Sequence, residues 1–144
     1  MMEKFVCRSE AETIEAARSF AESLSPGDVV ALKGDLGAGK TAFTKGVADF
    51  FQIDGDVSSP TFTVVNEYNG TLDIFHFDAY RLENVDIDNC DWLDDYFFGD
   101  GICIIEWAQN IEAVLPKGYY EVVIRKNPRE GENCREITIE KTER

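Results

Sequence analysis

Residues 28–51 read DVVALKGDLGAGKTAFTKGVADFF. A short, mostly apolar run at 28–34 enters a glycine-rich turn, and a stretch with helical spacing leaves it at 40–51. Within this block Gly34, Gly39, Lys40 and Thr41 satisfy the spacing G-x-x-x-x-G-K-[ST]. The spacing has a physical basis. Glycine adopts backbone conformations closed to other residues, so consecutive N–H groups can turn inward onto phosphate oxygens. Ala38 is small enough for close approach. Lys40 can reach β- and γ-phosphates, and Thr41 can offer a hydroxyl to Mg²⁺. The helix that follows aims its positive end at the same point. The residues expected on a bound nucleotide are therefore Gly34, Asp35, Leu36, Gly37, Ala38, Gly39, Lys40, Thr41 and Ala42.

Working outward, Phe43, Val47 and Phe50 fall on one side of the 40–51 helix, with Gly46 a weak point in it. Upstream, Ser9 followed by Glu12 is a capping-box pattern. Behind it Ile14, Ala17, Phe20, Ala21 and Leu24 recur at helical spacing, which predicts an amphipathic helix over 9–24 ended by Pro26-Gly27. Downstream, 52–61 reads as a loop. FTVVNEY and LDIFHFDAY flank Asn69-Gly70, the signal for a hairpin with a two-residue turn. Residues 84–100 are acidic and aromatic and predict a short helix with loops. GICIIEW (101–107) reads as a buried strand, 108–114 as a helix stopped before Pro116, and YYEVVIRK and REITIEK as two strands around the turn NPREGEN. Helical crossovers beside hairpins imply an α/β class: one P-loop domain over 1–144, with a mixed parallel and antiparallel sheet flanked by helices.

The chain has 28 acidic and 14 basic residues, a formal net charge of −14. That balance argues against its gripping DNA or RNA alone, since phosphate backbones are held by clustered Lys and Arg. It leaves room for a basic protein partner. No run approaches the roughly 18 apolar residues of a membrane span, and the N-terminus has no apolar stretch of signal-peptide length, so the expected residence is the cytoplasm. Cys7, Cys90, Cys103 and Cys134 form no C-x-x-C pair and read as free thiols.

A magnesium-assisted phosphate site calls for a second carboxylate at the end of another buried strand. ICII followed by Glu106 supplies one, with one methylene more reach than the usual Asp. The run Asp86, Asp88, Asp91, Asp94, Asp95 and Asp100 lacks the spacing and the glycine of an EF-hand loop. It reads as a solvated face or as an acidic patch for a basic partner.

Three more stretches, SSPTF (58–62), HFDAYRL (76–82) and IEWAQ (105–109), stand with GDLGAGKT in one order. Together they resemble the TsaE family of bacterial ATPases, formerly called YjeE, over essentially the whole chain. Gln109 departs from the acidic residue common in the family after E-W-x. The resemblance implies ATP and Mg²⁺ as cofactors and a role in making the threonylcarbamoyladenosine modification of tRNA. It further implies hydrolysis while docked on a heterodimer of the transferase TsaD and its inactive paralogue TsaB, resetting the transferase and meeting tRNA only through that complex. Carried over by position, Lys40 and Thr41 bind phosphate and Mg²⁺, and Glu106 is the second metal-side carboxylate. Asp78 positions or activates the attacking water, or is a hydrogen-bonded strand-end carboxylate. His76, the sole histidine, is expected to be a packed core residue. Tyr80 and Arg81 brace the site, or Arg81 acts as an arginine finger. Ser59, Pro60, Thr61 and Phe62 form a switch segment in which Thr61 can sense Mg²⁺ or γ-phosphate, or a plain turn. Trp107 stacks near the nucleotide or fills the core. The catalytic candidates are thus Asp78, Glu106 and Lys40.

Two other activities suit the same loop. A small-molecule kinase would use it, but no arginine-rich lid segment is evident. A nucleotide-binding switch module without significant hydrolysis would use it too. Guanine specificity is disfavoured, because Thr44-Lys45-Gly46-Val47 lacks the aspartate of N/T-K-x-D.

Overall fold

The computed structural model describes residues 2–34, 39–53, 65–79 and 93–142. Seven strands form one sheet. In chain order they are β1 (Met2–Cys7), β2 (Val29–Gly34), β3 (Val65–Tyr68), β4 (Ile74–Asp78), β5 (Ile102–Glu106), β6 (Tyr120–Lys126) and β7 (Arg135–Lys141). The helices are α1 (Glu10–Ala21), α2 (Lys40–Phe50) and the single turn α3 (Asp94–Phe97). The spatial order is β1-β7-β6-β2-β5-β4-β3. The four inner strands β6, β2, β5 and β4 run parallel, and β1, β7 and β3 add antiparallel. The expected mixed sheet is therefore present.

The inner strands are covered on both faces, which is why VVAL and ICII read as unbroken apolar runs rather than alternating ones. On one face Val30, Leu32, Ile74, Ile102, Ile104 and Ile124 meet α1 and α2 through Ala17, Phe20, Phe43, Val47 and Phe51. On the other, Val29, Ala31, Phe77, Cys103 and Ile105 meet Leu93, Phe97, Ala108 and Ile111. The two faces form two apolar clusters, and no helix among the described residues is long and apolar enough to cross a membrane.

The capping box at α1 forms as expected on one side: the Glu12 amide donates to Ser9 Oγ at 3.1 Å. The Glu12 carboxylate reaches one residue further back, accepting from the Arg8 amide at 3.2 Å. Gly46 has a role that helix propensity does not show. A Cβ there would lie 2.3 Å from the Ile14 carbonyl oxygen and 2.5 Å from Ala17 Cβ. The two helices approach that closely only because the side chain is missing.

Several expectations are corrected. β1 occupies residues with no strand signal; its backbone partner is β7, with Phe5 opposite Ile137 and Cys7 opposite Arg135. α1 stops at Ala21, short of Leu24. Phe50 is 36% exposed, and Phe51, which caps α2 four residues after Val47, is the buried aromatic. The β3–β4 pairing begins at Tyr68 opposite Ile74, so the connection is 69–73 rather than a two-residue turn. The C-terminal end of α2 explains this: the Phe51 carbonyl accepts from the Thr71 amide at 2.7 Å and from its hydroxyl at 3.1 Å. Gly70 packs against the same carbonyl, where a Cβ would come within 2.3 Å. The helix expected over 108–114 is present, as a 3₁₀ segment broken at Ile111. Cys7, Cys103 and Cys134 are free and buried, as their spacing suggests; Cys90 lies outside the described residues.

Candidate phosphate and metal site

In an open sheet of parallel strands, ligands bind beyond the carboxyl ends of the strands. Three of the sequence-predicted groups stand there. β2 ends at Gly34, β4 at Asp78 and β5 at Glu106, and the register pairs Asp78 with Glu106 and Glu106 with Leu32. The strands therefore deliver Asp78, Glu106 and Gly34 to one edge, on neighbouring strands.

Gly39 precedes α2 in a left-handed conformation, φ 108°, and as the N-cap has no side chain to bond the first turn. The first-turn N–H groups of an α-helix have no partner within the helix, which is what makes a helix start suited to an anion. Lys40 is 7% exposed. Its Nζ donates to the Gly34 carbonyl at 3.1 Å and lies 4.6 Å from the centroid of the Trp107 ring. Thr41 is half-buried and Ala42 buried in the first turn.

Glu106 is 5% exposed and His76 fully buried. His76 Nε2 and Glu106 Oε2 are 2.6 Å apart. The expectation of a packed core histidine is right about burial; the structure adds the contact with Glu106. Asp78, two residues on from His76 along β4, is half-buried at the strand end. Trp107 follows Glu106 with φ 59°, a left-handed conformation uncommon for a bulky residue. It packs partly into the second apolar cluster, as core filling would require, while its ring faces Lys40. Gln109 lies exposed in the 3₁₀ segment, and its neighbour Asn110 donates to the Ala79 carbonyl at 3.2 Å, tying that segment to the end of β4.

Asp35, Leu36, Gly37, Ala38, the segment Ser59, Pro60, Thr61 and Phe62, and both Tyr80 and Arg81 lie outside the described residues. So do Asp86, Asp88 and Asp91 of the acidic run; Asp94, Asp95 and Asp100 are exposed in and after α3. No group of three or more His, Cys, Asp or Glu able to hold a metal occurs among the described residues. Arg135 is a neighbour that sequence reasoning missed. Its Nε is 3.9 Å from where a Gly39 Cβ would lie, and its Nη1 donates to the Glu132 and Cys134 carbonyls at 3.0 Å each. No local pattern signals this, because the β6–β7 pairing brings residue 135 back to the edge.

Comparison with known proteins bears on the family and the fold. Residues 7–137 match the family model described as threonylcarbamoyl adenosine biosynthesis protein TsaE. The tRNA threonylcarbamoyladenosine biosynthesis protein TsaE of Bacillus subtilis is 48% identical over 129 residues, 89% of this chain and 78% of that protein. The protein of the same name from Treponema pallidum is 37% identical over 142 residues, 93% of this chain and 97% of that one. The crystal structure of Bacillus subtilis YdiB aligns with TM-score 0.82 at 40% sequence identity, covering 99% of this chain and 86% of that one.

Proposed function

This chain belongs to the TsaE family, which acts in tRNA threonylcarbamoyladenosine biosynthesis, and on that premise we propose that it is a magnesium-dependent ATPase that docks on a TsaD–TsaB transferase heterodimer and resets it between cycles. The observation that carries the reading is the convergence of Lys40, Glu106 and Asp78 on the carboxyl edge of β2, β5 and β4, at the start of α2. Preorganised positive groups at the place where phosphoryl charge develops are the main requirement of this chemistry.

Each residue has a part. Lys40, released from the Gly34 carbonyl, would neutralise β- and γ-phosphate charge. The α2 amides would bind the remaining phosphate oxygens. Mg²⁺ takes one or two protein oxygens and completes its shell with water and phosphate. A threonine hydroxyl and one carboxylate, Thr41 and Glu106, fit that preference better than a nitrogen- or sulfur-rich cage would. The ion would supply charge neutralisation at the phosphates. Asp78, beside Glu106 in the ladder, would orient a water for attack.

The test is phosphate release by this chain alone, with the heterodimer, and with tRNA added. Release that rises with the heterodimer is the expected result. Normal ATP affinity with no release in any mixture would leave a binding module. Release that needs a particular metabolite and no protein partner would make the chain a kinase.

A further inference from the structure

We infer that His76 is a positioning residue that fixes the Glu106 carboxylate for the metal, an inference that rests on the nucleotide-binding reading above. The geometry is direct. His76 faces the α1/α2 side of the sheet, on the same side as Ile74 and Glu106. In the parallel ladder His76 is opposite Ile104 and Asp78 is opposite Glu106. The imidazole therefore sits one pleat below Asp78 and reaches across to the neighbouring strand, where Nε2 meets Glu106 Oε2 at 2.6 Å. An ionised carboxylate only accepts, so Nε2 is the donor. With Oε2 engaged, Oε1 is the oxygen left for a metal or its bound water.

Packing alone does not account for a histidine here. The position is fully buried, and Nδ1 has no hydrogen-bond partner among the described residues. The Tyr68 ring lies 6.3 Å away, centroid to centroid. An apolar side chain would fill the space without stranding a nitrogen, and buried polar atoms are rarely left unpaired. What the imidazole gains is the bond to Glu106. Glu106 in turn ends a strand whose other four residues are apolar and buried, where an unpartnered carboxylate is strongly disfavoured. A flexible glutamate held by one short bond is preorganised, and partners of metal ligands typically change metal affinity about 10- to 100-fold when removed.

The experiment compares His76→Leu and His76→Gln with wild type. ATP affinity is measured by calorimetry in EDTA and across a Mg²⁺ titration, with thermal melts to confirm folding. In His76→Leu the Mg²⁺ concentration giving half the metal-dependent gain should rise about tenfold. Affinity in EDTA should stay within about twofold of wild type. His76→Gln, which keeps a donor, should fall between the two. In a Glu106→Gln background, His76→Leu should add no further loss of metal response. Equal losses in EDTA and Mg²⁺, or no change in the Mg²⁺ response, would overturn the positioning role. If His76→Leu does not fold, His76→Gln carries the same contrast. Wild-type protein that binds no ATP in either condition would instead overturn the nucleotide reading beneath it.

Discussion

Lys40 Nζ rests 4.6 Å above the Trp107 ring while donating to the Gly34 carbonyl. Trp107 is the residue after Glu106, so the cation of the glycine turn and the carboxylate of β5 are joined through one aromatic face. Cation–π attraction and a charge-assisted bond hold the ammonium at the strand edge in a largely desolvated place.

Replacing that cation tests the assignment most directly. Lys40→Ala should weaken ATP binding about 10- to 100-fold, the worth of a hydrogen bond to a charged group, while the melt stays cooperative. Isothermal calorimetry reads the loss; unchanged affinity would reject the phosphate-loop assignment.

Asp78 should separate binding from chemistry. Asp78→Ala is expected to retain most ATP affinity and to lose about 10²- to 10⁴-fold in turnover with partner proteins present, the range for a positioned acid–base group. Turnover near the wild-type rate would remove Asp78 from the catalytic set.

Gly46→Ala sets helix propensity against packing. Alanine favours a helix interior by about 1 kcal/mol. Here its Cβ would meet the Ile14 carbonyl oxygen at 2.3 Å, a backbone atom that cannot swing aside. Overpacking should prevail, destabilising the protein by about 1–3 kcal/mol in urea unfolding. A more stable variant would show that α1 shifts freely.

Burial pushes the Cys103 thiol up from 9.0 to about 12, and its Sγ donates to the Tyr96 carbonyl at 3.3 Å. The folded state holds this proton more tightly than the unfolded state does. Its contribution is therefore complete below about pH 9 and is lost as pH rises from there toward about 12. Cys103→Ala should flatten the decline of urea stability between pH 8 and pH 10, values about one unit either side of the unfolded thiol. In the native wild type, a thiol reagent should leave Cys103 unmodified at neutral pH. An equally steep decline in the variant would contradict this account.

The central unit was legible because its signals are local. A strand buried on both faces, a glycine turn and a helix start are contiguous in 28–51, and the run ending at Glu106 announced a second such strand. What escaped depends on distant partners. β1 is exposed over most of its length, with only Phe5 and Cys7 packed on the core, and only β7 makes it a strand. Asn69-Gly70 signalled a tight turn, but the end of α2 captures Thr71 and lengthens the connection. The contact between His76 and Glu106 follows from parallel register, which no spacing along the chain reveals. Phe50 and Phe51 differ by one step of rotation at the end of α2, a boundary detail that periodicity fixes poorly.

The helix that begins at Lys40 ends by gripping the β3–β4 connection through the Phe51 carbonyl. At 1.5 Å per residue it is a strut about 16 Å long. One tip carries Lys40 and the other braces the ribbon whose far end carries Asp78. Tilting this rod would strain both ends at once, so the two halves of the site share a mechanical linkage as well as an edge.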